Sequence, residues 1–77
     1  MTYEQFVINY KENLIYKGQL RDGQALMNYL YSIWAKEYDR ICYQTPYTKP
    51  DIDCFYNDKF IDNTLEHLKE VWCNYPN

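Results

Sequence analysis

Arg21-Asp22-Gly23-Gln24-Ala25-Leu26-Met27-Asn28-Tyr29-Leu30-Tyr31-Ser32-Ile33-Trp34-Ala35-Lys36-Glu37-Tyr38-Asp39-Arg40-Ile41 is the stretch on which the fold turns. It holds the longest apolar pattern in the chain, no proline, and a single interior helix-weakener, Gly23, near its start. Gly23, Met27, Leu30 and Trp34 form one stripe, widened by Leu26 and Ile33, and a stripe at that spacing is the buried face of an amphipathic helix. Glycine costs about 1 kcal/mol relative to alanine inside a helix. On the buried side, Gly23 therefore marks the close passage of another backbone, for which the first helix is the candidate. Asp22 is placed to cap the helix or to complement its dipole. The pattern predicts a helix over 21–34, and, because nothing in Ala35 to Ile41 is a strong breaker, a further turn or short helix over 35–41.

Upstream, Thr2-Tyr3-Glu4-Gln5 has the form of a capping box. Phe6, Val7, Tyr10 and Leu14 then recur at helical spacing, which predicts a first helix over 3–16 closed near Gly18. Downstream, residues 42–57 change character, with Pro46, Pro50, Thr45, Thr48, Asp51, Asp53 and Asn57 among them. Tyr43, Tyr47, Ile52, Phe55 and Tyr56 supply apolar anchors, so this reads as one long ordered loop, a kind of segment that often carries function. The last helix opens at Asn57 or Asp58 and runs over 58–73, with Ile61, Leu65, Leu68 and Trp72 as its seam and Asn74-Tyr75-Pro76-Asn77 as a frayed end. The expectation is one all-α domain over 1–77, a bundle of three to four helices.

Seventy-seven residues allow one modest core, and an active-site cleft cut into it would remove burial that so small a domain needs. The net charge of -3 and eight scattered Lys and Arg residues point away from direct nucleic-acid binding, which relies on clustered cations. No run of about twenty apolar residues exists to span a membrane. The basic lead and apolar core of a signal peptide are also missing, which leads to the expectation of a cytosolic protein. Three cysteines at wide spacing, Cys42, Cys54 and Cys73, read as reduced and buried thiols rather than a disulfide framework. Ten tyrosines exceed what a core of this size can enclose with every hydroxyl paired. Some must surface, either as half-buried rings or as a face for a partner, where Tyr is enriched.

Candidate chemistry is sparse. Cys42, Cys54, Cys73 and His67 include the donors of a zinc site but lack the close pairs such sites use. A Cys–His nucleophile has no supporting element, and His67 reads as a surface or boundary residue. Asp51, Asp53, Asp58 and Asp62 do not match a calcium loop and read as caps and solubilising charge, or as an acidic face for a basic partner. Two isolated glycines cannot build a phosphate-binding loop. No catalytic residue, metal or cofactor is expected.

The run Arg21-x-Gly23-Gln24-Ala25-Leu26-Met27-Asn28-x-Leu30-Tyr31, followed by Tyr38-x-x-Ile41, Thr45 and Asp53-Cys54-Phe55-Tyr56-x-Asp58, resembles a group of short bacteriophage and prophage proteins. There, a Gly-Gln-Ala-Leu-x-Asn-x-Leu-Tyr helix precedes a short helix and an Asp-x-Phe-Tyr-x-Asp motif that opens the last helix. The chain departs from the group at Trp34-Ala35, where relatives often carry a proline-bearing break, and in Pro46 to Ile52, which looks like an insertion. The resemblance implies that Arg21, Gln24, Asn28, Tyr31 and Asp58 dock the loop onto the helix, with Asp53 able to pair with them. It carries no established activity.

The working surface is then expected on Tyr43, Tyr47, Asp51, Asp53, Phe55 and Tyr56. Size, acidic charge, surplus tyrosines and the resemblance together suggest a small phage-encoded accessory protein. It would act stoichiometrically in the host cell cytoplasm, binding a basic surface of a host protein and inhibiting it, with host antiviral defence such as a CRISPR effector complex as the foremost target class. The alternative is a homo-oligomeric small-ligand or nucleotide sponge lined by Arg21, Gln24, Asn28 and tyrosines.

Overall fold

The computed structural model describes residues 1–12, 20–44, 49 and 51–76. Among the described residues four α-helices follow one another: α1 (Tyr3–Glu12), α2 (Asp22–Ile33), α3 (Ala35–Asp39) and α4 (Ile61–Val71). A π-helical turn, Arg40–Gln44, extends α3, and 3-10 turns at Asp58–Phe60 and Trp72–Asn74 flank α4. Among the described residues there is no strand, so the all-α expectation holds. The Cα radius of gyration is 11.5 Å, as for a compact chain of this length. Leu14, the Gly18 turn, Thr45, Pro46, Tyr47, Thr48, Pro50 and Asn77 lie outside the described residues.

α2 is the centre. Gly23, Ala25, Leu26, Met27 and Leu30 are all buried on it, and they meet Phe6 and Tyr10 of α1, Ile41, Ile52, Cys54 and Leu68 in one core. The helix ends at Trp34, whose backbone leaves the helical region at φ −153°, ψ 69°. Trp34 donates back to the Leu30 carbonyl at 2.7 Å, and its own carbonyl accepts from Glu37 and Tyr38 at 3.1 Å each. One non-helical residue thus closes α2 and opens α3 with its backbone groups paired. The Trp34 ring is held edge-on to Trp72 and Tyr75, at centroid distances of 5.4 and 5.3 Å.

α1 begins as the capping box requires, with Gln5 N donating to Thr2 Oγ1 at 3.1 Å. Phe6 stacks on Tyr29 at 5.2 Å and meets Trp72 at 5.0 Å. Of the tail expected to be frayed, Tyr75 is packed down: it is stacked on Trp72 at 4.9 Å, and Trp72 Nε1 donates to the Met1 carbonyl at 2.9 Å. Aromatic area at both ends is enough to hold the tail down.

The seam of α4 is also turned from the expected one. Leu68 is fully buried, but its companions are Thr64 and His67, while Ile61, Leu65 and Trp72 pack from the rim of the core. Thr64 is drawn inward because its hydroxyl meets the carbonyl of Ile52 and that of Phe60, the latter at 3.0 Å.

Candidate protein-binding face

The segment Asp51 to Asn57 has no regular structure, and its conformation is set by polar ties to two helices. Asp51 turns the chain with φ 68°, a left-handed conformation that Asp tolerates better than most residues. Asn63 Nδ2 then donates to the Asp51 carbonyl at 3.1 Å. Asp53 folds its carboxylate onto Phe55 N at 2.9 Å, and Asn57 caps the following turn by accepting from Lys59 N at 3.0 Å. These short-range bonds are the turn chemistry expected of Asp and Asn.

Docking onto α2 comes from Arg21 and Asp58. Arg21 donates through Nη1 to the Tyr56 carbonyl at 2.9 Å and through Nη2 to the Phe55 carbonyl at 2.7 Å. Asp58 Oδ1 accepts from Gly23 N at 3.0 Å. The guanidinium of Arg21 is thereby used on main chain, and a ligand pocket built on it would have to break both bonds. Gln24 and Asn28 are half-buried and their side chains make no hydrogen bond among the described residues, so the seats on the helix are instead Arg21 and the backbone of Gly23. Of the two roles expected of Asp22, cap or complement to the dipole, its place inside the first turn fits the second; the Arg21 N-cap position has no side-chain capping bond, and Asp58 fills that role from afar. The backbone that passes Gly23 is that of Cys54 rather than α1: a Cβ at Gly23 would lie 2.1 Å from the Cys54 carbonyl oxygen. The Cys54 thiol in turn donates to the Gly23 carbonyl at 3.5 Å.

So anchored, the segment presents its aromatics outward. Tyr56 is 79% exposed, Tyr43 71% and Tyr31 57%, whereas Phe55 is half-buried and meets the Tyr56 ring at 4.8 Å. Tyr31 plays no part in docking; it lies against Tyr38 at 5.1 Å. The Tyr38 hydroxyl is pushed up to about 12 by burial, with Cys42, Asp53 and Tyr43 beside it adding to the rise. Burial pushes the Cys42 thiol up to about 11, with Asp53 and Asp39 nearby. Tyr31 meets Tyr38, the Tyr38 hydroxyl has Asp53 and Tyr43 near it, Asp39 lies near Cys42, and Asp53 leads to the Phe55–Tyr56 pair; together they make an aromatic band with two carboxylates, Asp39 and Asp53, and with Arg21 at its docked end. Asp51 is exposed at the far end of that segment, and Tyr47 lies outside the described residues. Sequence reasoning named Tyr38 only as part of the Tyr38-x-x-Ile41 motif and did not mark Asp39.

A second polar constellation was missed altogether. Glu37 is 2% exposed and His67 7%, and His67 Nε2 meets Glu37 Oε2 at 2.9 Å. Arg40 Nη1 donates to the other oxygen, Oε1, at 3.0 Å. His67 is thus a buried residue, not a surface one, because a carboxylate thirty residues earlier in the chain receives it. Its Nδ1 is buried without a hydrogen-bond partner. The ring lines an open cleft of about 390 Å³ together with Lys49, Ile52, Asn63, Glu66 and Glu70. Lys49 Nζ bridges to Glu70 at 2.5 Å, and hydrogen bonding to Lys49 holds the Glu70 carboxyl below its ordinary value.

The cysteines divide. Cys54 is buried, Cys42 half-buried and Cys73 exposed, and all are free thiols; only Cys54 fits the expectation of burial fully. Among the described residues no three His, Cys, Asp or Glu side chains converge to hold a metal; near the loop, the Asp53 and Asp58 carboxylates are engaged with main-chain amides. Among the same residues no helix is long and apolar enough to cross a membrane.

No family model, curated protein or solved structure matches the chain.

Proposed function

We propose that this protein works by stoichiometric binding, presenting the acidic and aromatic band to a basic surface of another protein. The observation that carries the reading is the exposure of Tyr43 and Tyr56, above 70% each, Tyr43 on the π-helical turn and Tyr56 on main chain held by Arg21, Asp58 and the close fit at Gly23. Rigid tyrosines lose little conformational freedom on binding and supply large contact area, and neighbouring carboxylates steer a cationic partner. With the resemblance to short phage proteins, the role becomes that of a phage-encoded inhibitor of a host factor, with host antiviral defence such as a CRISPR effector complex as the target class.

The test is affinity capture from bacterial lysate with the wild type and a Tyr43→Ala/Tyr56→Ala variant, followed by reconstitution of the captured partner and measurement of its activity. The expected result is a partner retained by the wild type alone, bound at fixed stoichiometry and inhibited by it. Equal capture by the variant, or a bound partner whose activity is unaffected, overturns the reading.

A further inference from the structure

The cleft beside His67 has an unusual polar balance. Glu37 accepts the ring hydrogen of His67 at Nε2, so in the neutral ring Nδ1 is a lone-pair acceptor. That nitrogen is buried and unpartnered. Asn63 donates its amide hydrogen to the Asp51 carbonyl, which leaves its oxygen available. Glu66 and Glu70 add two carboxylates to the lining. Among the described lining residues the only cationic donor is Lys49, which is engaged with Glu70. The cleft is therefore rich in acceptors and short of donors.

We propose that this cleft is a guanidinium pocket, built to receive an arginine side chain from a basic partner protein. A guanidinium carries five N–H donors in a planar fork, enough to pair Glu66 in two-point fashion and still reach the Asn63 amide oxygen. An ammonium is a point donor, and Lys49 already supplies one. Anions meet two carboxylates and are repelled, and no set of metal ligands converges there among the described residues. Ile52 offers apolar contact for the arginine stem. The proposal deepens the reading of the protein as a binder of basic proteins, and rests on it for the source of the arginine.

The probe is N-acetyl-arginine amide, with N-acetyl-citrulline amide as the neutral isostere, titrated into the protein. The chain has one histidine, so its ring signals in proton–carbon correlation spectra report on His67 alone. The expected result is a saturable shift of those signals with the arginine probe, none with citrulline, and affinity weakened about fivefold or more in Glu66→Gln/Glu70→Gln. These two exposed positions leave the core untouched. No shift, an equal response to citrulline, or undiminished affinity in the variant overturns the pocket. A pocket that binds the arginine probe in a protein that captures no partner sinks the function proposed above and leaves the pocket standing; partner capture with a silent cleft does the reverse.

Discussion

Asp58 caps a helix from far along the chain: its Oδ1 accepts from Gly23 N, thirty-five residues earlier, at 3.0 Å, in the first turn of α2, where Arg21 gives no side-chain cap. The carboxylate satisfies one of the orphan amides of that turn and meets the positive end of the helix dipole. Asp58→Ala is expected to lower stability by about 1–2 kcal/mol in urea titration. Asp58→Asn, which keeps an acceptor oxygen, should lose much less. Equal destabilisation by both would show that charge, not the cap, is what matters.

Gly23→Ala separates two opposing effects. In an open helix the change gains about 1 kcal/mol. Here the new Cβ would stand 2.1 Å from the Cys54 oxygen and 2.9 Å from Asp58 Oδ1, and overpacking against main chain outweighs propensity. A net loss of about 3 kcal/mol is expected, with the docked segment loosened as seen by hydrogen exchange at Phe55 and Asn57. A stabilised Gly23→Ala protein would disprove the close approach.

The helices were legible because their signals are local. Thr2 capping Gln5, the Met27–Leu30–Trp34 stripe and the Asn57 turn each act over three or four residues. The short α3 was anticipated as well, since no breaker follows Trp34. What escaped was long-range polar pairing. Gly23 announced a close backbone but not whose, and Asp58 looked like any N-cap. Glu37 sits in the five-residue helix Ala-Lys-Glu-Tyr-Asp, where nothing local marks it for burial. His67 was hidden by a competing pattern: Ile61, Leu65, Leu68 and Trp72 are more apolar than Thr64, His67, Leu68 and Val71, yet both sets are helical stripes. Thr64 and His67 turn inward because main-chain oxygen and a carboxylate await them.

The Glu37–His67 pair is buried on both sides, so removing one partner strands the other. Glu37→Ala is expected to destabilise by about 3 kcal/mol. Arg40→Ala should lose less than about 1 kcal/mol, because that side chain is 46% exposed. A double-mutant cycle between Glu37→Ala and His67→Ala should return a coupling above about 1 kcal/mol; additivity would show that the contact carries no energy.

Alkaline pH should unfold the protein through its buried thiols and phenols. Burial pushes the Cys54 thiol from 9.0 up to about 11, and burial with the nearby Asp22 carboxylate pushes Tyr10 from 10.0 up to about 12. In both cases the unfolded chain releases its proton first, so stability is full below the unfolded value and falls as pH rises toward the folded one. The loss should run from about pH 9 to 11 for Cys54 and from about pH 10 to 12 for Tyr10. Urea midpoints measured across that range should decline, and Cys54→Ala should flatten the earlier part of the decline. An unchanged slope in the variant would remove Cys54 from the cause.

Tyr43→Ala and Tyr56→Ala should leave the urea midpoint within about 0.5 kcal/mol of wild type, as for surface positions. Arg21→Ala should not: two bonds to main-chain carbonyls are lost, at about 1 kcal/mol each. If Tyr56→Ala destabilised as much as Arg21→Ala, its ring would be part of the scaffold and not of an exposed face.

The edge-on contact of Trp34 with Trp72 has a practical corollary. These are the two tryptophans of the chain, and they share one aromatic cluster with Tyr75 at ring distances near 5 Å. Red-edge excitation therefore reads a single point in the molecule, where the end of α2 meets the end of α4. The aromatics of the acidic band are tyrosine and phenylalanine, and light absorbed by indole does not sample them. Intrinsic tryptophan emission is thus a clean gauge of unfolding and a blind one for recognition, and a ligand that seats on the band should leave it dark while tyrosine emission changes.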